Sequence, residues 1–369
     1  FREMLAVVVL LPSLLPSPRP QRLSAQPFRP SSPRVASVHA ATAWVPEDGV
    51  RELVEEAAVR MARAVEAHPL RLPPSIASAP VEATFVRTSA RASTEPVVVL
   101  LHSFDSSCLE FRRVLPLLQA ASVEAYALDL LGWGFAQTDG VERVDVRARR
   151  AHLLAFWEQC LQRRRMMVVA TSLGAAALID FHAAHPDAVH SAVLIDPQGF
   201  IDGTPPVPKS LARAAIRFLG SWGLRSVGQW VAYQDIPRCA TDDAIRVGRL
   251  HCTRARWEKD SIDWLLSGGY SVSSLVPTLS SVECLILWGR QDRVLPPAEN
   301  VPKFLSALPS ASFRWVEDCG HVPHLEQPEV TAAAIVAFLR AEHVAGDSDV
   351  TSMIAERSTN SESFLQQKS

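Results

Sequence analysis

Short apolar runs recur along the middle of the chain, each closed by a polar or glycine-bearing loop. Val81 to Arg87, Val97 to Leu101, Ala125 to Leu130, Met166 to Ala170, Ala192 to Ile195, Val282 to Trp288 and Ser312 to Val316 read as strands. Most are apolar throughout rather than alternating, which is the pattern of strands buried on both faces. Between them the apolar period lengthens to that of a helix. Phe111 to Leu118 reads as a helix capped by Ser106 or Ser107, and a second helix opens directly after Ser172. The last helix spans Glu329 to Glu342, with Val330, Ala333, Ile335, Val336 and Leu339 on its packed face. Strands alternating with helices predict an α/β fold around a mostly parallel central sheet.

Two stretches lie outside this rhythm. From Glu47 to His68, Val50, Leu53, Val54, Ala57, Met61 and Val65 recur at helical spacing, opposite a face of mixed charge. This predicts an extra helix packed on the domain, in preference to one lying on a membrane. Between Asp196 and Cys284 lie roughly eighty residues, too many for one crossover helix. Leu211 to Trp222, Leu224 to Tyr233, Thr241 to Cys252 and Trp257 to Leu266 read as helices of an inserted cap. Its aromatics, Phe218, Trp222, Trp230, Tyr233, Trp257, Trp264 and Tyr270, are expected mostly in the cap's own small core, with one or two facing a pocket.

The run Met166 to Thr171 breaks at Ser172, and Gly174 follows in a stretch of small residues. This is the layout of a nucleophile elbow, a strand-to-helix turn that holds a serine clear of the sheet at a helix N-terminus. Ala170 stands where the usual G-x-S-x-G pattern has its first glycine. A lone serine in such a setting is more often a helix cap, so partners must be found downstream. Val282 to Trp288 ends in Gly289-Arg290-Gln291-Asp292, an acid just past the carboxyl end of a strand. Ser312 to Val316 is followed by a polar loop carrying His321. The order Ser172, Asp292, His321 separates this chain from the chymotrypsin and subtilisin arrangements.

With Pro96 to Ser107 (P-V-V-V-L-L-H-S-F-D-S-S) and Ala125 to Gly134 (A-Y-A-L-D-L-L-G-W-G), the chain resembles the α/β-hydrolase fold over about residues 80 to 340. It is most similar to capped serine hydrolases of plant plastids. The resemblance implies an oxyanion hole built from the backbone amides of Phe104 and Leu173, with Ser103 where relatives carry glycine. It implies that Ser172 attacks a carbonyl, His321 takes the proton and Asp292 orients the imidazole. Asp196 is the rival acid, since some members of the fold place it there. His324 is the rival base; together with Glu326 it is expected to be structural instead. Asp129 is expected to cap a turn, His102 to brace the oxyanion loop, and Asp105 to hydrogen-bond that loop or touch substrate. No metal or organic cofactor is implied.

The organisation expected is a targeting segment over 1–46, a helical extension over 47–75, core over 76–198, cap over 199–278, core again over 279–343 and a disordered tail over 344–369. From Leu5 to Pro46 there is no acidic residue, while arginines, serines and prolines abound. That composition predicts a plastid transit peptide and a stromal destination; the run Leu5 to Leu11 makes secretion the alternative. Removing residues 1–46 moves the net charge from −2 to −6. No basic stripe suggests nucleic acid, and nothing approaches the ~20 apolar residues of a membrane span. The six cysteines lack metal or C-x-x-C spacing and read as free thiols.

An aspartate nucleophile of the epoxide-hydrolase and dehalogenase kind is excluded by serine at 172. A full cap favours a small or medium, partly apolar small-molecule substrate. Hydrolysis of a carboxylic ester, a thioester or the C–C bond of a diketone-like compound remains open. A non-catalytic ligand-binding or receptor role is the reading from another class, and the full Ser, Asp and His set argues against it.

Overall fold

The computed structural model describes residues 44–90 and 96–340. Eight strands form one sheet in the order β1-β2-β4-β3-β5-β6-β7-β8. These are β1 (Glu66–Leu70), β2 (Val81–Arg87), β3 (Val97–Leu101), β4 (Ala125–Leu128), β5 (Met166–Thr171), β6 (Val189–Ile195), β7 (Glu283–Gly289) and β8 (Ser312–Val316). β1 and β2 join antiparallel at one edge, and the remaining pairs from β4 to β8 are parallel. β3 and β5 are buried at every residue. Their side chains alternate between two cores: Val97, Val99 and Leu101 enter one, Val98 and Leu100 the other. An apolar run with no polar face is what burial under helices on both sides requires.

On one face lie α4 (Val146–Ala155), α5 (Leu173–Ala184) and α11 (Pro297–Ala307); on the other lie α1 (Glu47–Arg51), α2 (Glu56–Arg63), α3 (Leu115–Ala120) and α13 (Pro328–Leu339), the short α12 (Pro323–Glu326) leading into the last. Between β6 and β7 the chain leaves the sheet for α6 (Lys209–Leu219), α7 (Trp222–Ala232), α8 (Ile236–Cys239), α9 (Asp242–Arg249) and α10 (Trp257–Leu266). From β3 the chain runs to β4 on one side, then crosses to β5 on the other. The strand order therefore reverses between β3 and β5, and the loops at their carboxyl ends flank the crevice where α/β sheets place ligands.

Several local expectations are corrected. The stretch Glu47 to His68 is not one helix, and the extension over 47–75 is not wholly helical. The Asp243 carboxylate accepts from the Val54 and Glu55 amides, both at 2.8 Å, and interrupts it; Glu66–Leu70 is an edge strand. Val54 is exposed, while Val50 and Met61 pack on the core as the pattern predicts. Neither Ser106 nor Ser107 caps a helix: the Cys108 amide is taken by Asp129 Oδ1 at 2.6 Å. α13 buries Thr331, Ala332, Ala334 and Ile335, with Val330 facing outward. Trp264 and Tyr270 belong to the main core rather than a separate cap core, and Trp222 and Trp230 are exposed. The expected transit segment over 1–46 lies almost entirely outside the described residues, and the tail over 344–369 wholly so.

Candidate active site

β5 carries its last buried residue at Thr171, and α5 begins at Leu173. Ser172 between them has φ 46° and ψ −116°, a conformation that L-residues adopt only when their surroundings enforce it. Its amide donates to the Ile195 carbonyl at 3.0 Å, and its carbonyl accepts from the Gln198 amide at 2.9 Å. Gly174 explains itself: a Cβ there would sit 2.5 Å from the Leu101 carbonyl oxygen and 2.8 Å from that of His102. At position 170 alanine is accepted, fully buried within the sheet.

The structure brings Ser172, Asp292 and His321 together. His321 Nδ1 lies 2.8 Å from Asp292 Oδ2, and His321 Nε2 lies 2.9 Å from Ser172 Oγ. Against an ionised Asp292 the Nδ1 must be the donor, which leaves Nε2 to accept the serine proton. The other Asp292 oxygen accepts from the amides of Val294 at 2.7 Å and Leu295 at 2.9 Å, which fixes the carboxylate. Glu326 holds the loop before His321: its carboxylate accepts from the amides of Gly320 at 2.6 Å, Gln234 at 2.9 Å and Asp235 at 2.8 Å. The end of α7 reaches the same loop, with the His321 amide donating to the Ala232 carbonyl at 2.7 Å.

Neither rival residue joins this chain of hydrogen bonds. Asp196 is buried beside Asp292 and takes the Gly289 amide at 2.9 Å. Burial and the Asp292 charge push its carboxyl well above the usual range. His324 Nε2 lies 3.0 Å from Glu110 Oε1, away from Ser172. Buried Cys319 has its thiol pushed upward by burial and by the neighbouring Asp196 and Glu326 carboxylates, a state that suppresses thiolate chemistry.

The loop after β3 is anchored at each residue. His102 accepts from the Leu130 amide at Nε2 (3.0 Å), so Nδ1 carries the proton that reaches the Ser103 carbonyl at 2.8 Å. Burial lowers its pKa and keeps it neutral. Serine at 103 is accommodated because Glu110 takes both its amide and its hydroxyl, the latter at 2.6 Å. Despite burial, the contact with His324 and the hydrogen bond from Ser103 hold Glu110 well below the usual carboxylate range. Phe104 packs edge-on to Trp133 with centroids 5.0 Å apart. Leu173 is the first residue of α5, so its amide is one that a helix leaves without an intrahelical acceptor. Asp129 gathers the Cys108 and Phe135 amides and the Thr84 hydroxyl, and Gly134, at φ 61°, packs directly on its carboxylate.

Ser172, His321 and Phe104 line a cavity of about 250 Å³ whose remaining wall includes Leu219, Leu224, Ala232, Tyr233, Ile245, Val247, Val294 and Leu325. Of the seven inserted aromatics, Tyr233 faces it. Among the described residues, two groups place three potential metal ligands together: Asp105, His251 and Cys252, and Asp196, Asp292 and His321. The first group is already engaged by the Arg225 guanidinium, and the second contains the Asp292–His321 hydrogen bond. Glu110, Arg225, His251 and Trp257 were not singled out by sequence reasoning as site residues. A signal existed for Arg225, the one charged residue in Trp222–Ala232.

A sequence profile of the alpha/beta hydrolase family matches residues 98–334. The chain belongs to that family. It is 38% identical over 244 residues to the alpha/beta hydrolase domain-containing protein VTE7 of Arabidopsis thaliana, covering 65% of this chain and 73% of the relative. It is 24% identical over 258 residues to the 2-hydroxy-6-oxo-6-(2'-aminophenyl)hexa-2,4-dienoic acid hydrolase of Metapseudomonas resinovorans, covering 66% and 83%. A thermophilic esterase from Thermogutta terrifontis superposes with a TM-score of 0.61 at 20% identity, over 76% of this chain and 100% of that one, a likeness of fold. The expected similarity to plant hydrolases is met in the Arabidopsis relative. Among the described residues no helix is long and apolar enough to cross a membrane.

Proposed function

We propose that this protein is a serine hydrolase acting on a small or medium, partly apolar carboxylic ester or thioester. The observation that carries the reading is the unbroken chain from Asp292 through His321 to a strained Ser172 at the cavity wall, with both contacts under 3 Å. Ser172 Oγ attacks the acyl carbon while His321 Nε2 takes its proton. The resulting oxyanion is held by the Phe104 and Leu173 amides, each donor being worth about 3 kcal/mol in the transition state. Collapse expels the alkoxide or thiolate, which leaves with the His321 proton. Water, deprotonated by the same histidine, then releases the acid from the acyl-enzyme.

A second reading is hydrolysis of a C–C bond in a diketone-like substrate, favoured by the similarity to the Metapseudomonas hydrolase. p-Nitrophenyl esters of graded chain length separate the two when assayed beside a vinylogous diketone acid. The first reading predicts ester turnover that Ser172→Ala lowers by at least about 10³-fold with the fold intact. Ester turnover that survives this substitution contradicts it.

We further propose import into plastids, supported by the acid-free, arginine- and serine-rich composition of Leu5 to Pro46. A reporter fused behind residues 1–46 is expected in the stroma; its secretion contradicts the proposal.

A further inference from the structure

We propose that the helical insertion sets the oxyanion loop through Asp105, with Arg225, His251 and Trp257 as positioning residues. The inference rests on the hydrolase reading above. Asp105 follows Phe104 directly and has φ 46°, in the left-handed region that favours glycine. Its side chain is buried, and among the described residues the donors that reach it come from the insertion. Trp257 Nε1 donates to Oδ1 at 2.8 Å, His251 Nε2 approaches Oδ1 at 3.1 Å, and Arg225 Nη2 donates to Oδ2. Arg225 Nη1 also donates to the Asp105 backbone carbonyl at 3.2 Å, so both the side chain and the backbone of this residue are held.

Arg225 is itself fixed by three separate pieces of the insertion. It projects from α7, its Nε donates to the Leu219 carbonyl at the end of α6 at 3.0 Å, and Nη2 reaches Cys252 Sγ at 3.3 Å. The geometry of the insertion is thereby transmitted to one carboxylate. The other loop residues are anchored by the core: Ser103 on Glu110, Phe104 on Trp133, and the Ser106 carbonyl on the Gly134 amide at 3.1 Å. Asp105 is the point at which the insertion takes hold. A buried carboxylate with two cationic side chains and an indole N–H around it is stiff, because losing any donor leaves charge unpaired. Burial works against the charge of His251, but Cys252 and Asp105 raise its pKa to about 9, so both cations are present at neutral pH.

A rivet that merely fastened the cap would affect stability and leave chemistry alone. A device that places the Phe104 amide must act on the transition state, where displacement by about 1 Å costs on the order of 10²-fold. The test measures kcat and KM for p-nitrophenyl butyrate, inhibition by butaneboronic acid, and thermal midpoints, using the full chain. Arg225→Gln is expected to lower kcat about 10- to 100-fold with KM within about twofold, and to weaken the boronate by a similar factor. Trp257→Phe, which deletes one hydrogen bond and keeps a ring, is expected to do the same several-fold; it decides the question if Arg225→Gln does not fold. Lys259→Ala removes an exposed contact between the insertion and the Glu142 carbonyl, 3.2 Å long, and is expected to leave all four quantities unchanged. Wild-type kcat and boronate affinity in both clamp variants overturn the proposal, as does a rise in KM at constant kcat. An equal loss in Lys259→Ala overturns it too. A wild type that neither turns over the ester nor binds the boronate overturns the hydrolase reading, and the clamp's role with it.

Discussion

Two carboxylic acids lie side by side at the end of the sheet, and their surroundings hold them differently. Asp292 receives two amides and the His321 ring; Asp196 receives one amide and the repulsion of its neighbour. Asp292→Asn is therefore expected to impose the wrong imidazole tautomer and lower kcat by up to about 10⁴-fold, a magnitude known from the trypsin-type triad. Asp196→Asn keeps the shape of a side chain that accepts the Gly289 amide and makes no hydrogen bond to His321, and is expected to stay within about tenfold of wild type. Steady-state kinetics on a p-nitrophenyl ester decides; equal losses would contradict the assignment. At His251 the sign runs the other way from a carboxylate. Its pKa is raised to about 9 in the fold, from about 6.5 in the unfolded chain, so its stabilisation is complete below about pH 6.5 and is lost as pH rises through 9. The groups facing it are Asp105 and His102 from the core and Arg225 and Cys252 from the insertion. Thermal midpoints between pH 7 and 10 are expected to fall more steeply in wild type than in His251→Gln. Ser172, Asp292 and His321 were legible because each ends or follows a strand in a loop of characteristic composition. The Asp105 cluster was not, since its members lie up to 152 residues apart and meet only through the insertion.

At the scale of elements, α7 has two apolar sides. Leu224, Gly228 and Ala232 face the cavity, while Trp222, Val227, Trp230 and Val231 are exposed. A Cβ at Gly228 would meet nothing within 4 Å, so a large side chain there enters open cavity space without disturbing the helix. Gly228→Phe is expected to lower kcat/KM for an octanoyl ester at least about tenfold relative to an acetyl ester. An unchanged chain-length profile would show that the acyl group lies elsewhere. The strands that are apolar throughout were the most legible elements, because burial under helices on both faces leaves no other pattern. Glu47 to His68 departs from its helical pattern because Asp243 from the insertion divides it, taking two of its amides. Local periodicity cannot register a partner 189 residues away.

For the molecule as a whole, one reversal of strand order gathers loops from across the sequence at the carboxyl edge of the sheet. β3 brings the loop of Ser103 to Ser107, β5 brings Ser172, β7 brings Asp292 and β8 brings His321, and the insertion closes over them. The chain order of these residues already implied this assembly; the manner in which the insertion grips it required three dimensions. Gly174→Ala bears on the assembly directly, since its Cβ meets the β3 backbone rather than a movable side chain. The variant is expected to lose several kcal/mol of stability in urea denaturation, beyond the ~1–3 kcal/mol typical of overpacking. The central claim is that Ser172 is an activated nucleophile. It is tested most directly by incubating the full chain with a fluorophosphonate and mapping the modified peptide by mass spectrometry. Stoichiometric modification at Ser172, abolished in Ser172→Ala and strongly slowed in His321→Ala, is the predicted result. A folded wild type that takes up no label, or takes it up at another residue, would contradict the account.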